Sequence, residues 1–374
     1  MKKIAFYIPL LNIGGAERVV IDILNQLSNI ELIDKYYLIV DEKESSIIDQ
    51  ISKKVEILHL EHKKFGLIYK AYSLNKLLKL HKIDLVVSHL THANLHVLIT
   101  KSIFNFKSKV LITEHSILSQ YIDSVKSAKH YVMKKLLTKL YNKSDHVIAV
   151  SNAVKNDLVN NWSIKNNLIT RIYNPIDINK IEEQSNKSIE SDLIFKLKNK
   201  KVIVSIGRLE KQKNHKLLLE SINILKERNK NFILLVIGGG SEKENLEKFI
   251  DNNHLNEYVF LLGHQTNPYK YLKFADIFIL PSLIEGFGIV LVEALYFKKR
   301  IIATNIEAAK EVLENGKYGY LCEATPLDMS EAIQNTFDAK TDVYFPKNKA
   351  NDFNIEKIAN EYTMLISVMF DDSK

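Results

Sequence analysis

Short, almost purely apolar runs alternate along this chain with longer stretches whose apolar residues recur every three or four positions. Runs at 3–8, 36–40, 84–88, 109–113, 146–150, 201–206, 232–237, 258–262, 276–280 and 300–303, with a weaker one at 55–58, have the length of strands. They lack the in–out alternation of a half-exposed sheet, so they read as strands of parallel sheets covered by helices on both faces. Helical spacing is clear at 19–27, where Val19, Val20, Ile23, Leu24 and Leu27 share a face, and at 67–80, 215–226, 269–274, 289–297 and 355–370. The repeated strand–helix succession predicts an α/β protein with doubly wound sheets. Glycines and polar clusters gather where the apolar runs end, the edge at which such sheets bind ligands.

The pattern pauses at 178–191, which is polar and charged and reads as a connection between two halves. With 374 residues and 46% hydrophobic content, the chain suits two medium domains better than one. Cys322 is the sole cysteine, so no intrachain disulfide can form and a reducing compartment is expected. Lys2 and Lys3 precede only a strand-length apolar run broken by Pro9, unlike a secretory leader. No run approaches the ~20 apolar residues of a membrane-spanning helix. The expected location is the cytoplasm, either free in solution or peripheral at the inner face of the cell membrane.

Charge divides the chain unevenly. Residues 1–175 hold 25 Lys and Arg against 15 Asp and Glu, and residues 176–374 hold 27 against 29, for a formal net charge of +8. The basic first half suits an anionic partner such as a phospholipid surface or a phosphorylated carrier. Nucleic acid fits the charge alone, but no nucleic-acid module signature is present and aromatics are not interleaved with the basic residues. From Lys126 to Lys143 there are six Lys and no acidic residue, interleaved with Tyr131, Val132, Leu136, Leu137 and Leu140. That spacing predicts a basic amphipathic helix fit for an anionic membrane surface.

The candidate chemistry centres on Pro281-Ser282-Leu283-Ile284-Glu285-Gly286-Phe287-Gly288, which joins a strand to a helix. Glycine lets backbone N–H groups approach a ligand, and the first turn of a helix leaves N–H groups unpaired beside partial positive charge. Strand, glycine loop and helix N-terminus together favour phosphate. Glu285 precedes that helix and Glu293 lies within it, and carboxylates accept hydrogen bonds from sugar hydroxyls. Cradle and carboxylates together suit a sugar nucleotide, while the residues alone equally allow an ordinary strand-to-helix turn with a solvated Glu on either side. Gly14-Gly15 form a second strand–glycine–helix junction, which matches neither the dinucleotide fingerprint nor the P-loop. Arg208 and Lys213 follow another strand end, where their cations can meet a diphosphate.

Glu-x-Phe-Gly after Pro-Ser, with a second Glu eight residues beyond the first, resembles the signature of retaining glycosyltransferase family 4. Gly-Gly-Ala-Glu-Arg at 14–18, Gly-Arg-Leu at 207–209 with Lys213, and the Asn174-Pro175 turn are similar to that family's other motifs. The resemblance implies the GT-B fold: two Rossmann-like doubly wound domains facing each other across a cleft. It implies an acceptor-binding domain at 1–180, a nucleotide-sugar domain at 195–350, and a terminal helix, 354–374, packing back onto the first. It places Glu285 beside the donor sugar, the Gly286, Phe287, Gly288 and Ile289 backbone at the diphosphate, and Glu293 at the ribose. Arg208 and Lys213 would clamp the diphosphate, with Gly14 and Gly15 approaching it. Gly239, Gly263 and His264 would lie near the nucleotide. His115 would be the acceptor-side catalytic residue, with His89, His92 and Asn94 in the acceptor pocket.

The implied activity is transfer of a hexose or N-acetylhexosamine from a nucleotide sugar, expected to be a UDP-sugar, to a surface-glycan or lipid-linked acceptor, with retention. No Asp-x-Asp occurs in the sequence, so no metal or other cofactor is expected at the diphosphate. Three other readings stay open: a GT-B epimerase or hydrolase acting on UDP-N-acetylglucosamine, a non-catalytic glycan- or nucleotide-binding subunit, and a nucleic-acid binder selected by charge.

Overall fold

The computed structural model describes residues 2–11, 14–30, 33–41, 47–60, 66–119, 128–338 and 349–371, without the side chains of 128–133. The chain forms two compact units, one of residues 1–175 with 353–374 and one of residues 176–352.

The first unit contains β1 (Lys3–Tyr7), β2 (Lys35–Val40), β3 (Val55–His59), β4 (Leu85–His89), β5 (Lys109–Glu114), β6 (His146–Ala149) and β7 (Ile169–Arg171). Among the described residues these build one all-parallel sheet in the order β3-β2-β1-β4-β5-β6-β7. The strands are apolar on both faces because helices cover both: Ile4, Phe6, Leu38, Val86, Val87, Leu111 and Ile148 are fully buried. Strand order reverses between β1 and β4, so the crevice at their carboxyl ends is the topological switch point. The helix Ile355–Asp371 belongs to this unit. It packs on the helix Gly15–Leu27, receives a hydrogen bond from Lys109 Nζ at the Met369 carbonyl, and brings the Phe370 ring under Lys2, 4.0 Å from the ammonium.

The second unit contains β8 (Lys201–Ile206), β9 (Phe232–Ile237), β10 (Val259–Leu261), β11 (Ile277–Leu280), β12 (Arg300–Thr304) and β13 (Tyr320–Cys322). Its parallel sheet runs β10-β9-β8-β11-β12-β13, with the reversal between β8 and β11. The carboxyl ends of those two strands deliver Gly207-Arg208 and Pro281-Ser282. Sequence spacing thus led to the correct class, α/β with doubly wound sheets.

Two local expectations are corrected. The segment 178–191 is not a bare connection. It contains the helix Ile178–Ser185, capped by Asp177, whose carboxylate accepts from the Lys180 N–H at 3.0 Å. The segment is stapled to the helix Tyr269–Phe274 region: Asn267 donates to the Gln184 carbonyl at 2.8 Å, Lys273 to Asn186 at 2.7 Å, and Lys270 pairs with Glu190 at 2.9 Å. Its polar composition serves this side-chain stitching. The second correction concerns 89–94, read as a polar strand end. His89 closes β4, and a helix, Thr91–Phe104, starts after Leu90. Its buried face mixes Val97 and Leu98 with Asn94, His96 and Thr100, which obscured the helical period.

Candidate active site

In the second unit the geometry is set by backbone. Gly207 N–H donates to the Ile237 carbonyl at 3.0 Å, Leu209 N–H to Gly239 at 2.9 Å, and Glu242 N–H to Leu209 at 2.8 Å. The 238–240 loop therefore lies directly on the loop that carries Arg208. A Cβ on Gly238 would stand 1.9 Å from the Gly207 carbonyl oxygen, and one on Gly240 would stand 2.4 Å from that of Leu209. These glycines are required by loop-on-loop packing. Gly263 accepts from the Gly238 N–H at 2.8 Å and extends the same ladder, while His264 is exposed beside Gly239. Glu210 ties the two loops from outside through the Ser241 N–H and hydroxyl at 3.2 and 2.8 Å.

Arg208 is exposed on its loop. Lys213 reaches Glu285, with Nζ–Oε1 at 2.6 Å, and Ser282 Oγ donates to the same oxygen at 2.7 Å. The Leu283 N–H donates to the Gln212 carbonyl at 2.8 Å, which fixes the two loops at one register. Thr304 Oγ1 in turn donates to the Ser282 carbonyl. Seventy-two residues of sequence separate Lys213 from Glu285, and the fold makes them an ion pair at the β8/β11 switch point. Phe287 is buried in the core, so its contribution to any ligand would be backbone only. Gly288, at φ +79°, caps the helix Ile289–Tyr296 in a conformation that favours glycine. Glu293 is buried within that helix and accepts from Tyr269 Oη at 3.1 Å.

His215 opens the helix His215–Arg228 and is 4% exposed. Burial, reinforced by the Lys213 ammonium, pushes its pKa down to about 4. Neither ring nitrogen has a hydrogen-bond partner among the described residues. Sequence reading passed over His215, Ser282 and Tyr269 as site-supporting residues. Only the short spacing of Ser282 to Glu285 and of Lys213 to His215 hinted at two of them.

In the first unit, His89 Nδ1 and His115 Nε2 share a hydrogen bond of 3.1 Å. Phe6 stacks on His89 at 5.7 Å. Burial drives the His115 pKa down to about 4, and burial followed by His115 itself holds His89 well below the usual histidine range. Both rings are therefore neutral near pH 7, and one proton serves the bridging nitrogens. Beneath them Glu114 is fully buried. Its carboxylate accepts from Thr91 Oγ1 at 2.9 Å, the His115 and Ser116 N–H groups at 3.1 and 3.2 Å, and Tyr141 Oη at 2.7 Å. Burial raises its pKa against those four hydrogen bonds.

The remaining first-unit candidates separate. Asn94 is fully buried, accepts from Ser88 Oγ at 2.7 Å and donates to the Thr113 carbonyl at 2.9 Å, so its amide holds β4 to β5. That engagement argues against the acceptor-contact role expected from sequence. The His92 side chain is exposed, and its pKa is lowered first by partial desolvation and then by the Lys70 ammonium, with the Asp41 carboxylate opposing. Gly14 caps the helix Gly15–Leu27, and a Cβ there would meet the Glu17 carboxylate at 2.3 Å. A carboxylate thus already occupies the helix N-terminus that sequence marked as phosphate-ready. Gly15 is exposed in the first turn. In the basic stretch, Lys126 and Ser127 lie outside the described residues. Leu137 and Leu140 of the helix Ala128–Tyr141 face the core, and Lys134, Lys135, Thr138, Lys139 and Asn142 line a shallow hollow of about 300 Å³. No helix among the described residues is long and apolar enough to cross a membrane.

Comparison with known proteins agrees with this architecture. Residues 187–351 match the family described as glycosyl transferases group 1, and residues 13–180 match Glycosyltransferase Family 4. A Campylobacter jejuni N-acetylgalactosamine-N,N'-diacetylbacillosaminyl-diphospho-undecaprenol 4-alpha-N-acetylgalactosaminyltransferase is 33% identical over 331 residues, covering 86% of each chain. The Staphylococcus aureus capsular polysaccharide biosynthesis glycosyltransferase CapH is 26% identical, over 96% of this chain and 97% of its own. Among solved structures, Anabaena HepE in complex with UDP and glucose superposes with a TM-score of 0.82 at 20% identity, over 98% of this chain and 100% of that one. The last likeness establishes the GT-B fold.

Proposed function

Since the chain belongs to the group 1, family 4 glycosyltransferases, we propose that it moves a hexose or N-acetylhexosamine from a UDP-sugar to a lipid-linked or surface-glycan acceptor, with retention and without a metal. The observation that carries the donor half is the Lys213–Glu285 pair, 2.6 Å apart at the switch point of the second sheet. In this reading the donor's diphosphate meets Arg208, Lys213 and the amides from Gly286 to Ile289. Those donors stabilise the charge that grows on the diphosphate as its bond to the sugar C1 breaks. The acceptor hydroxyl oxygen then bonds C1 on the face the diphosphate left, and its proton passes to the departing diphosphate oxygen. Glu285, freed in part from Lys213, accepts from sugar hydroxyls, and Glu293, oriented by Tyr269, accepts from the ribose. His115, held by His89 and by the Glu114-anchored backbone, stands on the acceptor side.

The acceptor half is supported by kinship. The Campylobacter jejuni relative is named for a diphospho-undecaprenol glycan, and the Staphylococcus aureus relative for capsular polysaccharide. An acceptor of that kind lies at a membrane, which suits the basic first half and peripheral association with an anionic surface. HepE was crystallised with UDP, which favours uridine as the donor base.

Purified protein incubated with UDP-sugars and polyprenyl-diphosphate glycans tests this reading. UDP release that depends on acceptor, abolished by Glu285→Gln, supports transfer. UDP release without acceptor would identify an epimerase or hydrolase instead. Proton NMR of the product linkage decides retention.

A further inference from the structure

The first unit carries an apolar face that the site does not use. Leu67, Ile68 and Tyr72 on the helix Gly66–His81 are 52%, 73% and 51% exposed, and Ile103 on the helix Thr91–Phe104 is 50% exposed. The two helices pack together. The Tyr72 ring lies 6.3 Å from Phe104, the chain neighbour of Ile103, and 6.4 Å from Tyr69, the chain neighbour of Ile68, so aromatic contacts link the two helices beside these side chains. Ile68, Tyr72, Lys76 and Leu80 follow at four-residue spacing, so they form one outward stripe. Isolated exposed apolar residues are ordinary, whereas a contiguous aromatic and aliphatic patch marks an interaction surface.

Charge selects the partner. From His62 to Thr113 the sequence has nine Lys and a single acidic residue, Asp84, whose carboxylate is engaged by the Lys3 N–H at 2.8 Å. Neither helix carries Asp or Glu, and Lys76, Lys79, Lys82 and Lys107 are exposed around the patch. Apolar side chains that can enter an acyl boundary, ringed by lysines that can meet headgroups, match an anionic lipid surface. The helix Ala128–Tyr141 offers less: Leu137 and Leu140 are buried, which leaves Leu136 as its exposed apolar side chain among those described. We propose that the face built by Leu67, Ile68, Tyr72 and Ile103 is the part of this enzyme that inserts into an anionic membrane surface. The proposal rests on the lipid-linked acceptor reading above.

Vesicle flotation of the full chain tests it, with phosphatidylcholine alone and with phosphatidylglycerol added. Wild type should float with the anionic vesicles and lose this at high salt. Ile68→Glu/Tyr72→Glu should bind about tenfold more weakly or worse, while keeping its circular dichroism and its turnover on a detergent-soluble acceptor. Lys134→Glu/Lys135→Glu/Lys139→Glu should keep most binding. Wild-type flotation undiminished in the Ile68/Tyr72 variant, or lost only in the triple variant, overturns this face. A wild-type dimer in light scattering that the Ile68/Tyr72 variant breaks would assign the face to a second copy and also overturn it. Failure of wild type itself to float removes the membrane reading as a whole.

Discussion

Lys213 Nζ and Glu285 Oε1 meet at 2.6 Å, with the Ser282 hydroxyl on the same carboxylate oxygen. The two side chains are largely enclosed, so each is oriented by the other before any donor binds. Lys213→Met should lower kcat by about 10²-fold or more, because it removes a donor aimed at charge that develops in the transition state. Glu285→Gln should lose comparable activity. The double variant should lose less than the product of the two, since each partner acts through the other. Initial rates on the four proteins check this.

Gly238→Ala should damage the site from behind. Its Cβ would sit 1.9 Å from the Gly207 carbonyl oxygen, and backbone has nowhere to yield without moving Arg208. A destabilisation of about 3 kcal/mol is expected in urea unfolding, together with weaker UDP binding by calorimetry. Gly263→Ala, which meets nothing within 4 Å but keeps φ at +66°, should cost about 1 kcal/mol.

Tyr269→Phe removes one hydrogen bond to Glu293, 3.1 Å long and buried. If Glu293 holds the ribose, KM for the donor should rise by about 3- to 10-fold, the value of one such bond, with kcat changed less. A fall confined to kcat would place Glu293 at the chemistry instead.

Buried neutral histidines give a pH dependence of stability. His115 and His215 have folded pKa values of about 4, against about 6.5 in an unfolded chain. Between those values the unfolded chain takes up protons that the folded one refuses, so stability falls as pH drops from about 6.5 towards 4. Glu114, with its raised pKa, acts in the opposite sense on the acid side. Urea titrations at stepped pH should show a shallower decline in His215→Gln than in wild type. An identical slope would mean that His215 is not the group responsible.

Chelation addresses the diphosphate clamp. With Arg208, Lys213 and main-chain amides as the electrophiles, EDTA should leave the rate unchanged, and a strict requirement for Mn²⁺ would contradict the clamp.

The sequence by itself determined the fold class and the edges on which chemistry sits. Parallel strands buried on both faces must be apolar throughout, and glycine-bearing ends must follow them, so both appear in the linear pattern as runs and interruptions. The Glu285, Gly286, Phe287 and Gly288 junction was legible for that reason. Tertiary structure alone decided which polar groups meet. Glu114 with Tyr141, His89 with His115, Tyr269 with Glu293 and Lys213 with Glu285 lie 24 to 72 residues apart, and no periodicity links them. It also decided that Asn94 braces two strands, that a carboxylate sits at the Gly14 helix end, and that 178–191 is a stitched helix. Such outcomes depend on which neighbour satisfies each polar atom once water is excluded. That choice is made in space, after the apolar pattern has brought the elements together.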